Sequence, residues 1–249
     1  MRVRATVAYH GGTFHGFAPN QGVRTVGGDL IEALTRCLRQ PVALTCAGRT
    51  DTGVHAWGQV VSFDAPDGTD LPATRSAVNR MLAPAIVIRT IEAAPPGFDA
   101  RFDATSRTYR YTVLNREVPD PFLSTTAWHY SRPLDLGAMN SAAATIVGQH
   151  DFSSFCRRQH SPGGKEKSRV RTVHRAGWEA TGPELVQFEI EASSFCHQMV
   201  RSITGTLVDI GAGRRSPGAM TTILTARDRS GTPNLAPPHG LSLWSVSYE

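Results

Sequence analysis

The chain has 249 residues, of which 40% are apolar and 19% are charged. This composition is typical of a globular protein and excludes long disordered tracts. The sequence holds no run of the about 20 apolar residues that a membrane span needs, and it begins with strand-like alternation instead of an apolar signal core. We therefore expect a cytoplasmic protein without a membrane partner.

The charge is basic and is carried almost entirely by arginine. The net charge is +5, and the 26 Lys and Arg residues include only two lysines, Lys165 and Lys167. Guanidinium groups bind phosphate in a fork and stack on bases, so this bias is typical of proteins that bind nucleic acids. A GC-rich genome produces the same bias. Composition alone leaves both interpretations open.

An alternation of apolar and polar residues over 2–10 predicts a half-buried first strand. A helix is expected near 26–39, where apolar side chains recur every three or four residues and Thr25 can act as N-cap. A shorter helix is expected around 73–82. Further strand-like segments lie near residues 42–46, 58–64, 86–91 and 107–114.

The second half repeats this rhythm without visible sequence identity. Asp135 can cap a helix that continues to Val147, and a strongly apolar helix follows Ser193-Ser194 and ends at Gly211. Ser216-Pro217 predicts the start of another helix. Strands are expected near residues 168–179 and 184–192 and around 241–244.

These elements predict an α+β fold of two helix-backed, mostly antiparallel units. The stretch 95–106, which begins Pro95-Pro96-Gly97, is a natural boundary between them. We therefore expect an N-terminal domain over residues 1–105 and a C-terminal domain over residues 106–249.

The four cysteines are expected to be free thiols in a reducing compartment. They form no Cys-x-x-Cys pair and no Cys/His cluster with the spacing of zinc ligands. A disulfide framework and a structural metal are therefore not expected. The residues concerned are Cys37, Cys46, Cys156 and Cys196.

The loop 156–172 contains six Arg or Lys residues and one Glu. A solvated, flexible loop would explain this composition. A basic flap that closes on a nucleic-acid backbone would explain it equally well.

The segment 48–56, Gly-Arg-Thr-Asp-Thr-Gly-Val-His-Ala, places the Asp51 carboxylate on a glycine-bracketed turn between two strand-like segments. An Asp in this setting is first of all a turn former. A neighbouring guanidinium, from Arg49 or Arg201, would keep the carboxylate ionised and oriented, as a nucleophile requires. The triplet 51–53 also matches the Asp-Thr-Gly of aspartic proteases, but those enzymes need two copies and this chain has one.

The segment 48–56 resembles the Gly-Arg-Thr-Asp-x-Gly-Val-His signature of the tRNA pseudouridine synthase A (TruA) family. Four further blocks resemble the family in the same order and extend over nearly the whole chain. They lie at residues 98–111, 151–155, 195–205 and 240–243.

The resemblance implies two α/β-sandwich domains of the ferredoxin or RRM type, which share a mixed, largely antiparallel sheet with a central basic cleft. It implies a homodimer that uses neither cofactor nor metal and grips the anticodon stem-loop of tRNA. Family members isomerise uridine to pseudouridine at positions 38, 39 and 40.

The resemblance also implies roles for individual residues. Asp51 matches the essential aspartate, Tyr109 matches the tyrosine that contacts the target base, and Arg201 matches the arginine that pairs with the aspartate. Arg49 matches a position linked to base flipping. The expected RNA contacts are Phe98, Asp99, Ala100, Arg101, Phe102 and Arg107.

Two other functions stay open at this point. A non-catalytic RNA-binding or RNA-folding module would share the arginine bias, although the aromatic ribonucleoprotein motif of sheet-surface binders is absent. A modification enzyme that acts on another RNA is the nearest alternative, because cleft shape decides the substrate.

Overall fold

The structure is a computed structural model that describes residues 1–157, 168–232 and 235–248. The chain forms two compact units, one made of Met1–Arg107 with Ser242–Glu249 and the other of Thr108–Leu241. The α+β class expected from the sequence is confirmed. These units differ from the predicted division in two respects, since the first boundary lies at 107/108 instead of 105/106 and residues 242–249 group with the first unit. The domain assignment itself stays a prediction.

The helices and strands alternate along the chain. The first half contains β1 (Arg2–Tyr9), α1 (Val26–Leu38), β2 (Thr45–Cys46), β3 (His55–Asp64), α2 (Leu71–Leu82), β4 (Ile86–Ala93) and β5 (Ala104–Leu114). The second half contains β6 (Trp128–His129), α3 (Leu136–Ala144), β7 (Gly148–Asp151), β8 (Val170–Ala180), β9 (Leu185–Ala192), α4 (Met199–Gly211), α5 (Ala219–Ala226) and β10 (Leu241–Tyr248).

The first unit is built on a mixed sheet with strand order β4-β1-β3-β10, and β2 also pairs with β3. β1 is antiparallel to both of its neighbours, whereas β10 runs parallel to β3. Alternate β1 side chains, from Val3 to Tyr9, are buried, as the sequence alternation predicts. Thr25 is confirmed as the N-cap of α1, because its side chain accepts a hydrogen bond from the backbone N–H of Gly28.

The second unit contains the strand order β5-β9-β8-β7, with β6 parallel to β5. α4 is its most buried helix, and Ile203 and Leu207 are completely shielded from solvent. Asp135 is confirmed as the N-cap of α3, since its side chain accepts from Ala138 N–H. Among the described residues, no helix combines the length and the apolar character needed to cross a bilayer.

Three predicted helix boundaries are wrong. α3 ends at Ala144 instead of reaching Val147, because the chain turns there. α4 begins at Met199 behind Gln198, which has a left-handed backbone and no capping side chain. Ser216-Pro217 precedes the turn that leads into α5, whose N-cap is Gly218.

The prediction of four free cysteines is also wrong for two of them. Cys156 and Cys196 form a disulfide in the second unit, with a Cα–Cα distance of 5.7 Å and a separation of 40 positions in sequence. This separation is within the range that a disulfide bridges, but local spacing gives no sign of it. Cys37 and Cys46 are free thiols. Most of the basic loop 156–172 lies outside the described residues.

Candidate active site

The predicted nucleophile lies on the loop of residues 47–54, called here the Asp51 loop, which connects β2 to β3 in the first unit. Both ends of this loop are fixed by buried polar side chains. At its start, the amide of Gln59 accepts from Gly48 N–H at 3.3 Å and donates to Gly48 O at 2.6 Å. Beyond its end, His55 Nδ1 accepts from Gly11 N–H at 2.9 Å. The loop is therefore held to its own unit on both sides of Asp51.

The centre of the loop is held by the segment that follows β1. Thr50 O accepts from Phe17 N–H at 3.1 Å, and its hydroxyl lies 2.8 Å from the Tyr9 hydroxyl. Gly16 has φ +89, and a Cβ at this position would lie 2.8 Å from Thr50 O. Only glycine combines this left-handed backbone with so close an approach. Asp51 O accepts from Val54 N–H at 3.1 Å, which closes the turn around the carboxylate.

Three of the predicted RNA-contacting or catalytic arginines lie around Cys46. Burial raises the pKa of Cys46 to about 11, and the positive charges of Arg49, Arg101 and Arg107 act in the opposite direction. These three guanidinium groups are therefore close enough to one thiol to share a region of positive potential beside the Asp51 loop.

Arg107 has a different environment from that of an exposed phosphate ligand. It is 8% exposed, and its guanidinium donates to the backbone carbonyls of Ala47, Arg101 and Ala104. Arg107 thus ties the start of the Asp51 loop to the backbone of the 98–102 segment.

The segment 98–102 is a turn that exposes two side chains. Asp99 Oδ1 accepts from Arg101 N–H at 2.8 Å and from Phe102 N–H at 3.0 Å, an Asx-turn arrangement. Phe102 is 77% exposed, and the Arg101 guanidinium lies 5.3 Å from the centre of its ring. Ala100 is fully buried, and Phe98 packs against Tyr248 with ring centroids 5.1 Å apart. The turn therefore rests on Phe98 and Ala100 and presents Arg101 and Phe102 to solvent.

The second unit supplies the other two predicted catalytic residues. Tyr109 on β5 is 8% exposed and meets Phe195 edge-on, with ring centroids 5.0 Å apart and an interplanar angle of 85°. Arg201, in the first turn of α4, donates from Nε to Ala236 O at 2.8 Å. Burial raises the pKa of Tyr111 well above its usual range, and the charge of Arg201 opposes this shift. Arg201 is therefore close to Tyr111, on the strand that also carries Tyr109.

The structure brings the predicted residues together in two groups. The first unit gathers Arg49, Asp51 and the 98–107 residues, whereas the second unit carries Tyr109 and Arg201. Among the residues that the structure describes, no group of three or more His, Cys, Asp or Glu side chains is arranged to hold a metal ion.

Sequence reasoning missed the residues that support the Asp51 loop from behind. The alternation over residues 2–10 predicts only that Tyr9 is a half-buried strand residue, and no motif marks Gln59. Gln59 could nevertheless have been noticed in the sequence, because it is a polar residue in an apolar strand that continues through Val60 and Val61. A buried amide at such a position needs hydrogen-bond partners.

Known proteins resemble this chain along its whole length. A family model described as tRNA pseudouridine synthase matches residues 142–249. Among solved structures, the Cbf5-Nop10-Gar1 complex aligns at 14% identity with a TM-score of 0.34, covering 83% of this chain and 45% of that chain.

The curated relatives are much more similar. The tRNA pseudouridine synthase A of Bacillus velezensis is 40% identical over 251 residues and is covered completely, as is this chain. The Bacillus subtilis protein of the same name is 39% identical, and the alignment covers both chains completely. The Frankia casuarinae protein is 42% identical, and the alignment covers 100% of this chain and 89% of the Frankia chain. With the Asp51 loop intact and this similarity along its full length, the chain belongs to the tRNA pseudouridine synthase A family.

Proposed function

We propose that this protein isomerises uridine to pseudouridine at positions 38, 39 and 40 in the anticodon stem-loop of tRNAs, with Asp51 as nucleophile. The observation that carries the proposal is the Asp51 carboxylate, which lies in the family signature on a loop fixed by hydrogen bonds at both ends. The basic group of Arg49, Arg101 and Arg107 in the same unit suits a polyanionic substrate.

The reaction breaks the C1′–N1 glycosidic bond, turns the uracil and forms a C1′–C5 bond. C5 loses its proton, and N1 gains one, so the product is an isomer of the substrate. Asp51 would act either by adding to C6 of the ring or by capturing C1′ of the sugar. Both routes need a fixed carboxylate, which hydrogen bonding of the Asp51 loop provides.

The target uridine must leave its stack before it can react, at a cost of a few kcal/mol. We assign Tyr109 to receive the flipped base. Its ring is held edge-on by Phe195, and base stacking on an aromatic face contributes about 1–3 kcal/mol. Arg201 is proposed to pair with Asp51 and keep it ionised. In this scheme all three side chains act on one uridine.

The RNA contacts are proposed to divide between direct and indirect roles. Arg49, Arg101 and Phe102 would contact RNA, because Arg101 and Phe102 point to solvent from the Asx turn. Asp99, Ala100 and Phe98 would shape that turn. Arg107 would act by holding the backbone at Ala47 and Arg101.

The finer architecture is part of the same proposal. It comprises two ferredoxin-like domains that share a sheet and a central basic cleft, assembled as a homodimer in the cytoplasm. The α+β composition of each unit and the family membership support this arrangement.

The test is tritium release from tRNA labelled at uridine C5, without added cofactor or metal. We expect release with the wild-type protein and none with Asp51→Asn, while tRNA binding is retained. Asp64→Asn is the matched control, because its side chain is 78% exposed and pairs only with Arg2 at 3.3 Å among the described residues. Substrates that carry a single uridine at position 38, 39 or 40 would map the site. Turnover by Asp51→Asn would refute the nucleophile assignment.

A further inference from the structure

A chain of three buried polar side chains runs behind the Asp51 loop in the first unit. It begins at Gln59 on β3, which is fully buried. The Gln59 amide accepts from Gly48 N–H and donates to both Gly48 O and the Tyr9 hydroxyl, the last at 3.4 Å. Its carbonyl and amino groups are therefore both engaged, and the amide orientation is fixed by its partners.

The Tyr9 hydroxyl accepts a hydrogen bond from one neighbour and can donate one to another. Tyr9 is 5% exposed, and burial raises the pKa of its phenol well above the usual range, so the hydroxyl keeps its proton. Since the Gln59 amino group donates to the Tyr9 oxygen, the Tyr9 proton is available for the Thr50 hydroxyl at 2.8 Å. The chain thus runs from Gln59 through Tyr9 to Thr50.

Thr50 is the last residue before the proposed nucleophile. It is 7% exposed and is held on its backbone side by Phe17 N–H and on its side-chain side by Tyr9. These two hydrogen bonds hold Thr50 from two sides. Together they fix the position and the rotation of the peptide group that joins Thr50 to Asp51. The direction of the Asp51 side chain depends on that rotation.

We propose that Tyr9 is a positioning residue, which acts through Thr50 to aim the Asp51 carboxylate at the reacting uridine. The proposal rests on the proposed function, because it assigns to Tyr9 a part in that same reaction. Tyr9 itself does not touch the RNA in this scheme. It matters because an error of about 1 Å in the position of a catalytic group can cost on the order of 100-fold in rate.

The decisive variant is Tyr9→Phe, which removes only the hydroxyl and keeps the ring that packs against Phe17 at 6.0 Å. Single-turnover rates would be measured with saturating enzyme, alongside tRNA affinity and thermal unfolding. We expect the rate to fall by about 10- to 100-fold with affinity changed less than about twofold. Tyr130→Phe is the matched control, because it removes a tyrosine hydroxyl that bonds Arg214 in the second unit.

A double-mutant cycle separates positioning from general weakening of the fold. Thr50→Val should reduce the single-turnover rate as much as Tyr9→Phe does. The double variant should be no slower than either single variant, because both substitutions remove the same hydrogen bond between the Tyr9 and Thr50 hydroxyls. Thr50→Ser retains a hydroxyl and should restore most of the rate.

The outcomes distinguish this proposal from the proposed function. An inactive wild-type protein would refute the function. An active wild-type protein with an unchanged Tyr9→Phe rate, or losses that multiply in the double variant, would overturn the role of Tyr9 alone. A fall in affinity with an unchanged single-turnover rate would also overturn it.

Discussion

Gly11 lets two backbone segments meet beside the end of the Asp51 loop. A Cβ at this position would lie 2.0 Å from the backbone oxygen of Val54. Neither backbone segment can move away from the other without displacing the Asp51 loop. Gly11→Ala should therefore destabilise the protein by about 2 kcal/mol, which is about 4–8 °C in melting temperature for a chain of this size. Pseudouridine formation should fall as well.

The control for this prediction is Gly231→Ala, since within the described ranges, and apart from the two adjoining residues, no heavy atom lies within 4 Å of the added Cβ. Thermal unfolding and tritium release would be measured for both variants. Equal melting temperatures would show that the Val54 backbone yields easily and that the contact is unimportant.

At single positions, the sequence predicts the candidate site residues more directly than it predicts the residues that support them. Asp51 stands in a motif that is readable without a structure. Tyr9 and Gln59 act through partners about 41 and 11 residues away, Thr50 and Gly48 respectively. A one-dimensional pattern shows that a strand residue is buried but not which polar atom it meets. Folding alone brings those atoms together.

At the level of elements, the sequence predicted two helix caps directly, Thr25 of α1 and Asp135 of α3. Asp135 Oδ1 accepts from Ala138 N–H at 2.9 Å at the start of α3. Asp135→Ala should cost about 1 kcal/mol of stability, because the first turn loses its acceptor. The melting temperature should then fall by about 2–4 °C. Asp135→Asn, which keeps the acceptor, should recover most of that loss in thermal unfolding; equal losses would refute the capping role.

The elements that were missed are those whose partners are distant or whose residues are few. β6 has two residues and is a strand only because it pairs with β5. β7 is defined by its pairing with β8, at His150 opposite Arg171 for example. Four residues or fewer do not establish a period of two, so the pattern could not predict these strands. The Cys156–Cys196 pair was missed for the same reason, as its members meet only in the folded unit.

For the whole molecule, the described arginines have two kinds of environment. Some arginines pair with carboxylates within one unit, as Arg110 does with Glu189 at 2.7 Å and Arg175 with Glu191 at 2.8 Å. These pairs neutralise charge locally and explain part of the bias without RNA. Arg49 and Arg101 differ, since both are close to the Cys46 thiol beside the Asp51 loop. Composition could not separate the two environments, because it counts guanidinium groups without their neighbours.

This division predicts which arginines control the salt dependence of tRNA binding. Each phosphate contact releases counterions, so the slope of log affinity against log salt reports the number of contacts. Arg49→Ala and Arg101→Ala should each reduce that slope by about 1. Arg36→Ala should leave it unchanged, because this exposed arginine lies 3.7 Å from Glu32 on α1. Filter-binding titrations at several salt concentrations would measure the slopes. If Arg36→Ala reduced the slope as much as Arg101→Ala, binding would reflect net charge alone, and the basic group beside Asp51 would have no special part in holding tRNA.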